Sequence, residues 1–162
     1  MDLPVLYEDA HVVAVDKPSG LITHSDGRTQ EPTAEEWFKE RYPSGGGYAH
    51  RIDRDTSGVL VFAKDDATLA FLRTAFTSRD VHKTYLALTY GAPKEKKGHI
   101  DFDIGRSRKD FRLRSAQPKA KGRLREALTH YCVEKEQGEY ALMTLTPETG
   151  RTHQLRVLSL IH

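Results

Sequence analysis

A single cysteine, Cys132, is all that 162 residues contain, and that scarcity removes two architectures at once. No intramolecular disulfide can form, and no zinc site built on paired thiolates is available. One thiol suits a reducing compartment, so a cytoplasmic protein is expected, with Cys132 an inert core residue in an alternating apolar segment. Long apolar runs are missing too. Nothing approaches the roughly 20 residues needed to cross a bilayer. Met1-Asp2-Leu3-Pro4 offers neither a basic start nor an apolar stretch, so no signal peptide is expected. There is no repeat and no low-complexity tract. Gly45-Gly46-Gly47 is not followed by Gly-Lys-Ser/Thr, which argues against a phosphate-binding P-loop. His50 and His153 have no third ligand at diagnostic spacing, so no metal is expected.

What is present fits a soluble α+β protein. The length suits one domain around a single core. Val5-Leu6-Tyr7 and His11-Val12-Val13-Ala14-Val15 read as short strands joined by a Glu8-Asp9 turn, and Asp16-Lys17-Pro18-Ser19-Gly20 breaks the second. Thr33 and Glu36 have capping-box spacing, which predicts a helix from Thr33 to about Arg41 with Trp37 and Phe38 on its buried side. Val59-Leu60-Val61-Phe62-Ala63 is a buried strand, and Asp65 or Asp66 can cap a helix running to about Thr77. Leu69, Leu72 and Phe76 would face the core. Residues 85–90 form a further strand. Residues 129–133 and 140–146 alternate around Glu136-Gln137-Gly138-Glu139, a hairpin signature. Leu155, Leu158 and Ile161 have helical spacing within 151–162. Strands outnumber helices, so the sheet should be largely antiparallel with flanking helices.

The net charge of +2 hides an uneven distribution. Arg106, Arg108, Lys109, Arg112, Arg114, Lys119, Lys121, Arg123 and Arg125 face only one acid, Asp110, between positions 106 and 125. The residues between them show neither a helical stripe nor a long strand, so the segment reads as a mobile basic loop or hairpin. Such a single-sign field attracts phosphates, which indicates nucleic acid but names no reaction.

The most informative stretch is His50-Arg51-Ile52-Asp53-Arg54-Asp55-Thr56-Ser57-Gly58. It places Asp53 between Arg51 and Arg54 at the mouth of a buried strand. Flanking cations favour an ionised carboxylate, and loops mounted on rigid strands carry reactive groups. The same residues have plainer readings: a structural ion-pair cluster for Asp53, a turn cap for Asp55, a sheet-face role for Tyr85. Arg151 and Arg156 could be helix-surface charges, and Lys17 is read either as structural or as a phosphate contact.

Four motifs in order resemble the RluA-type RNA pseudouridine synthase family. His50–Gly58 is similar to its HRxDxxTSG motif, and Asp16-Lys17-Pro18-Ser19-Gly20 to its opening (N/D)KPxG. Lys83-Thr84-Tyr85 matches K-x-Y, and Gly150-Arg151-Thr152-His153-Gln154-Leu155-Arg156-Val157 matches GRTHQ(I/L)RV. The resemblance implies an α+β pseudouridine synthase catalytic domain with a central catalytic cleft and no cofactor or metal. Its substrate would be a uridine in structured ribosomal or transfer RNA. Asp53 would be the catalytic acid, and Tyr85 the aromatic residue beneath the target base and a candidate to take its proton. Arg151 would pair with the aspartate. Arg51, Arg54 and Lys17 are expected to contact RNA alongside the basic 106–125 segment.

The resemblance also implies one catalytic domain over 1–162 that lacks a C-terminal portion, with no S4-type module before it. Leu158 stands where members often have His. Two rival readings remain: a non-catalytic RNA-binding module using the basic segment, and a metal-dependent nuclease built on Asp53, Asp55 and the histidines. A kinase-like catalytic loop fails, because Asp53 is one position late and no Asp-Phe-Gly exists.

Overall fold

The computed structural model describes residues 1–25, 27, 30–110, 113–116 and 118–158. It divides into two compact units, Met1–Val81 and His82–His162. The first contains strands β1 (Val5–Glu8), β2 (Val12–Lys17), β3 (Gly47–Tyr48) and β4 (Gly58–Ala63), with helices α1 (Ala34–Arg41) and α2 (Asp66–Thr77). Its strands are ordered β1-β2-β4-β3, every pairing antiparallel.

Alternation decides which side of this sheet is dry. Val13 and Val15 on β2 lie opposite Phe62 and Leu60 on β4, and all four are fully buried with Phe38 and Trp37 from α1. Phe38 stacks on Phe62 with ring centroids 4.7 Å apart. The expected capping box is present: the Thr33 hydroxyl accepts from the Glu36 N–H at 3.1 Å, and the Glu36 carboxylate accepts from the Thr33 N–H at 2.9 Å. Asp65 caps α2 by accepting the Thr68 N–H. Leu69 is buried there, while Leu72 and Phe76 are only half-buried. The glycine run performs the close approach that small residues permit. A Cβ on Gly46 would lie 2.1 Å from the Ala63 carbonyl oxygen, so only glycine fits.

The second unit holds a four-stranded antiparallel sheet ordered β5-β11-β10-β6, from β5 (Tyr85–Tyr90), β6 (Lys97–Asp101), β10 (Leu128–Gln137) and β11 (Tyr140–Pro147). The predicted hairpin is the β10–β11 pair, whose strands run longer than the alternation suggested. The basic segment, read as a loop or hairpin, is a second sheet of three short strands ordered β8-β7-β9: β7 (Ile104–Ser107), β8 (Arg114–Ala116) and β9 (Ala120–Arg125). Ile104 and Ala116 pack with Ile100, Ala127, Val157 and Leu158. Helix α3 (Gln154–Leu158) buries Val157 and Leu158. Ile161, placed on the same helical face by its spacing, lies outside the described residues.

β5 is an edge strand. Its Leu86, Leu88 and Tyr90 are 72%, 72% and 73% exposed, and they continue onto Leu142 and Tyr140 of β11 through the register pairs Leu88↔Leu142 and Tyr90↔Tyr140. No helix among the described residues is long and apolar enough to cross a membrane.

Candidate active site

Asp53 sits on a loop whose shape is imposed by its neighbour in the same unit, the turn 17–23. The Thr23 hydroxyl donates to the Ile52 carbonyl at 2.9 Å. The Lys17 ammonium donates to the Arg54 carbonyl at 3.0 Å, and the Gly20 N–H reaches the same oxygen at 2.9 Å. The Ser19 hydroxyl takes the Asp55 carbonyl at 2.9 Å. Carbonyls on both sides of Asp53 are therefore held, and its own carbonyl accepts the Thr56 N–H at 3.1 Å. Gly20 makes the turn possible with φ of 89°, a left-handed value that L side chains resist. The Asp53 residue itself is half-buried, so its carboxylate is not sealed in a dry interior.

His50 opens the loop. β3 ends as the Ala49 N–H bonds to the Val61 carbonyl at 3.0 Å. The imidazole Nε2 of His50 then accepts the Val61 N–H at 3.2 Å, replacing a main-chain acceptor. Its ring stacks on Phe76 at 4.5 Å. That nitrogen is accordingly occupied, which disfavours its use as a metal ligand.

Lys17 requires a correction. Expected to contact RNA, it has 0% exposed surface. Its ammonium is enclosed by the carbonyls of Leu21 at 2.6 Å, Pro18 at 3.0 Å and Arg54 at 3.0 Å. Burial draws its pKa below the ordinary lysine value, opposed by the negative charges of Asp55 and Asp53. The cation beneath the acidic loop is thus Lys17.

The sequence neighbours of Asp53 are oriented differently from what adjacency suggested. Arg54 donates through Nε to the Gly20 carbonyl at 3.1 Å, and its Nη2 lies 3.3 Å from a Glu31 carboxylate oxygen. Arg51 is exposed. Among the described residues of this unit, neither arginine is ion-paired with Asp53.

In the second unit, Tyr85 begins β5 opposite Leu145. Its ring packs against the Ala141, Met143 and Leu145 cluster, on the face opposite the outward leucines. Arg151 precedes α3 and is fixed at two points: its N–H donates to Gln154 Oε1 at 2.9 Å, and its Nε to the Glu126 carbonyl at 2.8 Å. Gln154, which the motif contained but no local pattern marked as important, is the hub of this turn. A cavity of about 190 Å³ in this unit is lined mostly by apolar groups such as Ile100, Met143, Leu145 and Leu155, and by none of the candidate catalytic residues.

The basic sheet presents its cations outward. Arg106, Arg108, Lys109, Lys119, Lys121, Arg123 and Arg125 are exposed and Arg114 is half-buried, while Arg112 lies outside the described residues. Arg106 on the central strand faces Arg114 on one side and Lys121 on the other. Like charges set directly opposite repel one another.

Comparison with known proteins agrees with this geometry. A family model described as RNA pseudouridylate synthase matches residues 11–160, and the chain belongs to that family. Its relatives include ribosomal large subunit pseudouridine synthase D of Borreliella burgdorferi, 34% identical over 96% of this chain and 50% of the relative. The synthase of the same name from Xanthomonas campestris is 37% identical over 96% of this chain and 48% of its own length. Ribosomal large subunit pseudouridine synthase C of Buchnera aphidicola is 35% identical over 94% of this chain and 48% of its own length. The chain thus spans about half the length of these relatives. Among solved structures, human RNA pseudouridylate synthase domain containing 1 superposes with a TM-score of 0.82 at 27% identity, covering 97% of this chain and 64% of that one. The RluA-type resemblance and the α+β, largely antiparallel architecture are both borne out.

Proposed function

We propose that this chain isomerises uridine in structured RNA to pseudouridine, with Asp53 as the essential acid and no cofactor. The observation that carries the reading is the Asp53 loop: the main chain is strapped on both sides of the residue, while the residue stays half-exposed. Departure of uracil places negative charge on the base and positive charge on the sugar. An ionised carboxylate answers the latter, as nucleophile at C1′ or as base at C2′. The uracil then turns, C5 bonds to C1′, and the C5 hydrogen leaves as a proton. Tyr85 is assigned the stacking surface and, with its hydroxyl or a water held by it, that last proton. Arg151 is assigned to orient and stabilise the carboxylate. Extruding the nucleotide costs a few kcal/mol, offset by stacking and backbone contacts.

The family match includes parts of both units, which supports reading 1–162 as one catalytic module. The relatives named as ribosomal large subunit synthases favour ribosomal over transfer RNA as substrate. Arg51, Arg54 and the basic sheet are the proposed RNA contacts, and the cytoplasm the proposed location. Mapping pseudouridines in cellular RNA with and without the protein tests the reading. An unchanged map would overturn it.

Two variants probe the parts. Tyr85→Phe is expected to slow turnover about 100-fold, the scale of positioned proton transfer. Single-turnover rates check this, and normal turnover would leave Tyr85 only its stacking role. Replacing Arg106, Lys121 and Arg123 by glutamine should weaken RNA binding and reduce the slope of log affinity against log salt by about 2 to 3. An unchanged slope would make the basic sheet a bystander.

A further inference from the structure

We infer that Gln154 is the positioning residue for Arg151: its side-chain amide sets where the guanidinium is presented. This rests on the assignment of Arg151 to the reaction. Gln154 is 4% exposed, and a buried amide must satisfy two donors and two acceptor sites. All four are used. Oε1 accepts the Arg151 N–H at 2.9 Å and the Thr149 hydroxyl at 2.8 Å. Nε2 donates to the Leu128 carbonyl at 3.1 Å and to the Thr129 hydroxyl at 2.9 Å. The amide cannot turn over, because a peptide N–H can only donate and a carbonyl can only accept. Thr149 completes the circuit by accepting the Leu128 N–H at 3.1 Å.

The consequence falls on one residue. Gln154 holds the Arg151 N–H through its side chain and the Arg151 carbonyl through its own N–H at 3.0 Å. The Arg151 main chain is thereby tied to the start of β10, while Nε is tied to Glu126 in the link just before that strand. With main chain and Nε both fixed against the same segment, only the Nη end extends beyond the anchors. The turn also keeps His153 at φ of 58°. A left-handed non-glycine residue is strained and persists where surrounding bonds over-determine it.

The test compares Gln154→Met, which preserves volume, with the wild-type chain in single-turnover pseudouridylation. Gln154→Met is expected to lower kcat about tenfold or more with KM within about threefold, as for loss of a transition-state interaction. In an Arg151→Lys background the same change should cost less than about threefold, because coupled residues are non-additive. Full additivity, or a loss of melting temperature with kcat unchanged, would overturn the inference. If Gln154→Met does not fold, Gln154→Glu decides. Its carboxylate cannot donate to the Leu128 carbonyl, but the acid form can, and burial raises such a pKa. Activity relative to wild type should therefore recover several-fold between about pH 8 and about pH 6, and a flat ratio would overturn the inference. Wild-type activity in Arg151→Ala sinks the assignment of Arg151 itself, a different result from additivity.

Discussion

RNA carrying tritium at uridine C5 should release label to water with the wild-type chain and cease to do so with Asp53→Asn. The expected loss is about 10⁴-fold or more, the scale on which removal of an essential reacting group is felt. Asparagine is nearly isosteric, and the straps on this loop grip the carbonyls of Ile52, Arg54 and Asp55 rather than the Asp53 side chain. The variant should therefore fold and bind RNA within a few-fold of wild type. Filter binding beside the release assay separates the outcomes. Normal release by Asp53→Asn would remove the residue from the chemistry. Salt-sensitive RNA binding by the wild-type chain with no release at all would instead favour a binding module that relies on the basic sheet.

Lys17→Met should damage stability and turnover together. Methionine fills the buried channel of the lysine stem but removes the ammonium donor from the carbonyls of Pro18 and Leu21 and leaves the Arg54 carbonyl only the Gly20 N–H. Hydrogen bonds to a charged group contribute about 1.5–3 kcal/mol each and buried acceptors are costly to abandon, so a loss of about 3 kcal/mol or more is expected in urea unfolding. Turnover should fall because one strap on the Asp53 loop is gone, together with the cation that interacts with Asp53 and Asp55. The salt dependence of RNA binding separates this role from the one its position in the turn suggested. A phosphate contact would lower the slope by about 1 on removal, whereas a buried strap leaves the slope unchanged. A reduced slope with full stability would restore Lys17 to the RNA-binding surface.

The signal for its burial was present. Val13, Val15 and Lys17 share one parity on β2, and the first two are the apolar face of the strand. Reading Asp16 and Lys17 as part of the following turn ends the strand two residues early. Local chemistry was otherwise a good guide. Thr33 with Glu36, Asp65 before α2, the apolar runs of β2 and β4, and the alternation in β10 and β11 each carry their signal within a few residues. Non-local pairing was not legible. The basic segment concealed three strands of only three to six residues, too short and too interrupted by Pro118 and Gly122 to show a period. Arg54 stands beside Asp53 in sequence, yet its guanidinium goes to Glu31 and the Gly20 carbonyl. Gln154 bonds Leu128 and Thr129 across 26 and 25 positions, a distance no window on the chain spans.

Because the turn 17–23 holds the Asp53 loop by oxygens that every amino acid carries, conformation and reactivity there are encoded separately. The straps on Ile52, Arg54 and Asp55 engage main-chain oxygens, so the side chains at 51 and 53 are not what holds the frame that presents them. Such a division lets selection, or a designer, retune recognition around a fixed acid, and it makes this short bend an evolvable part of the molecule.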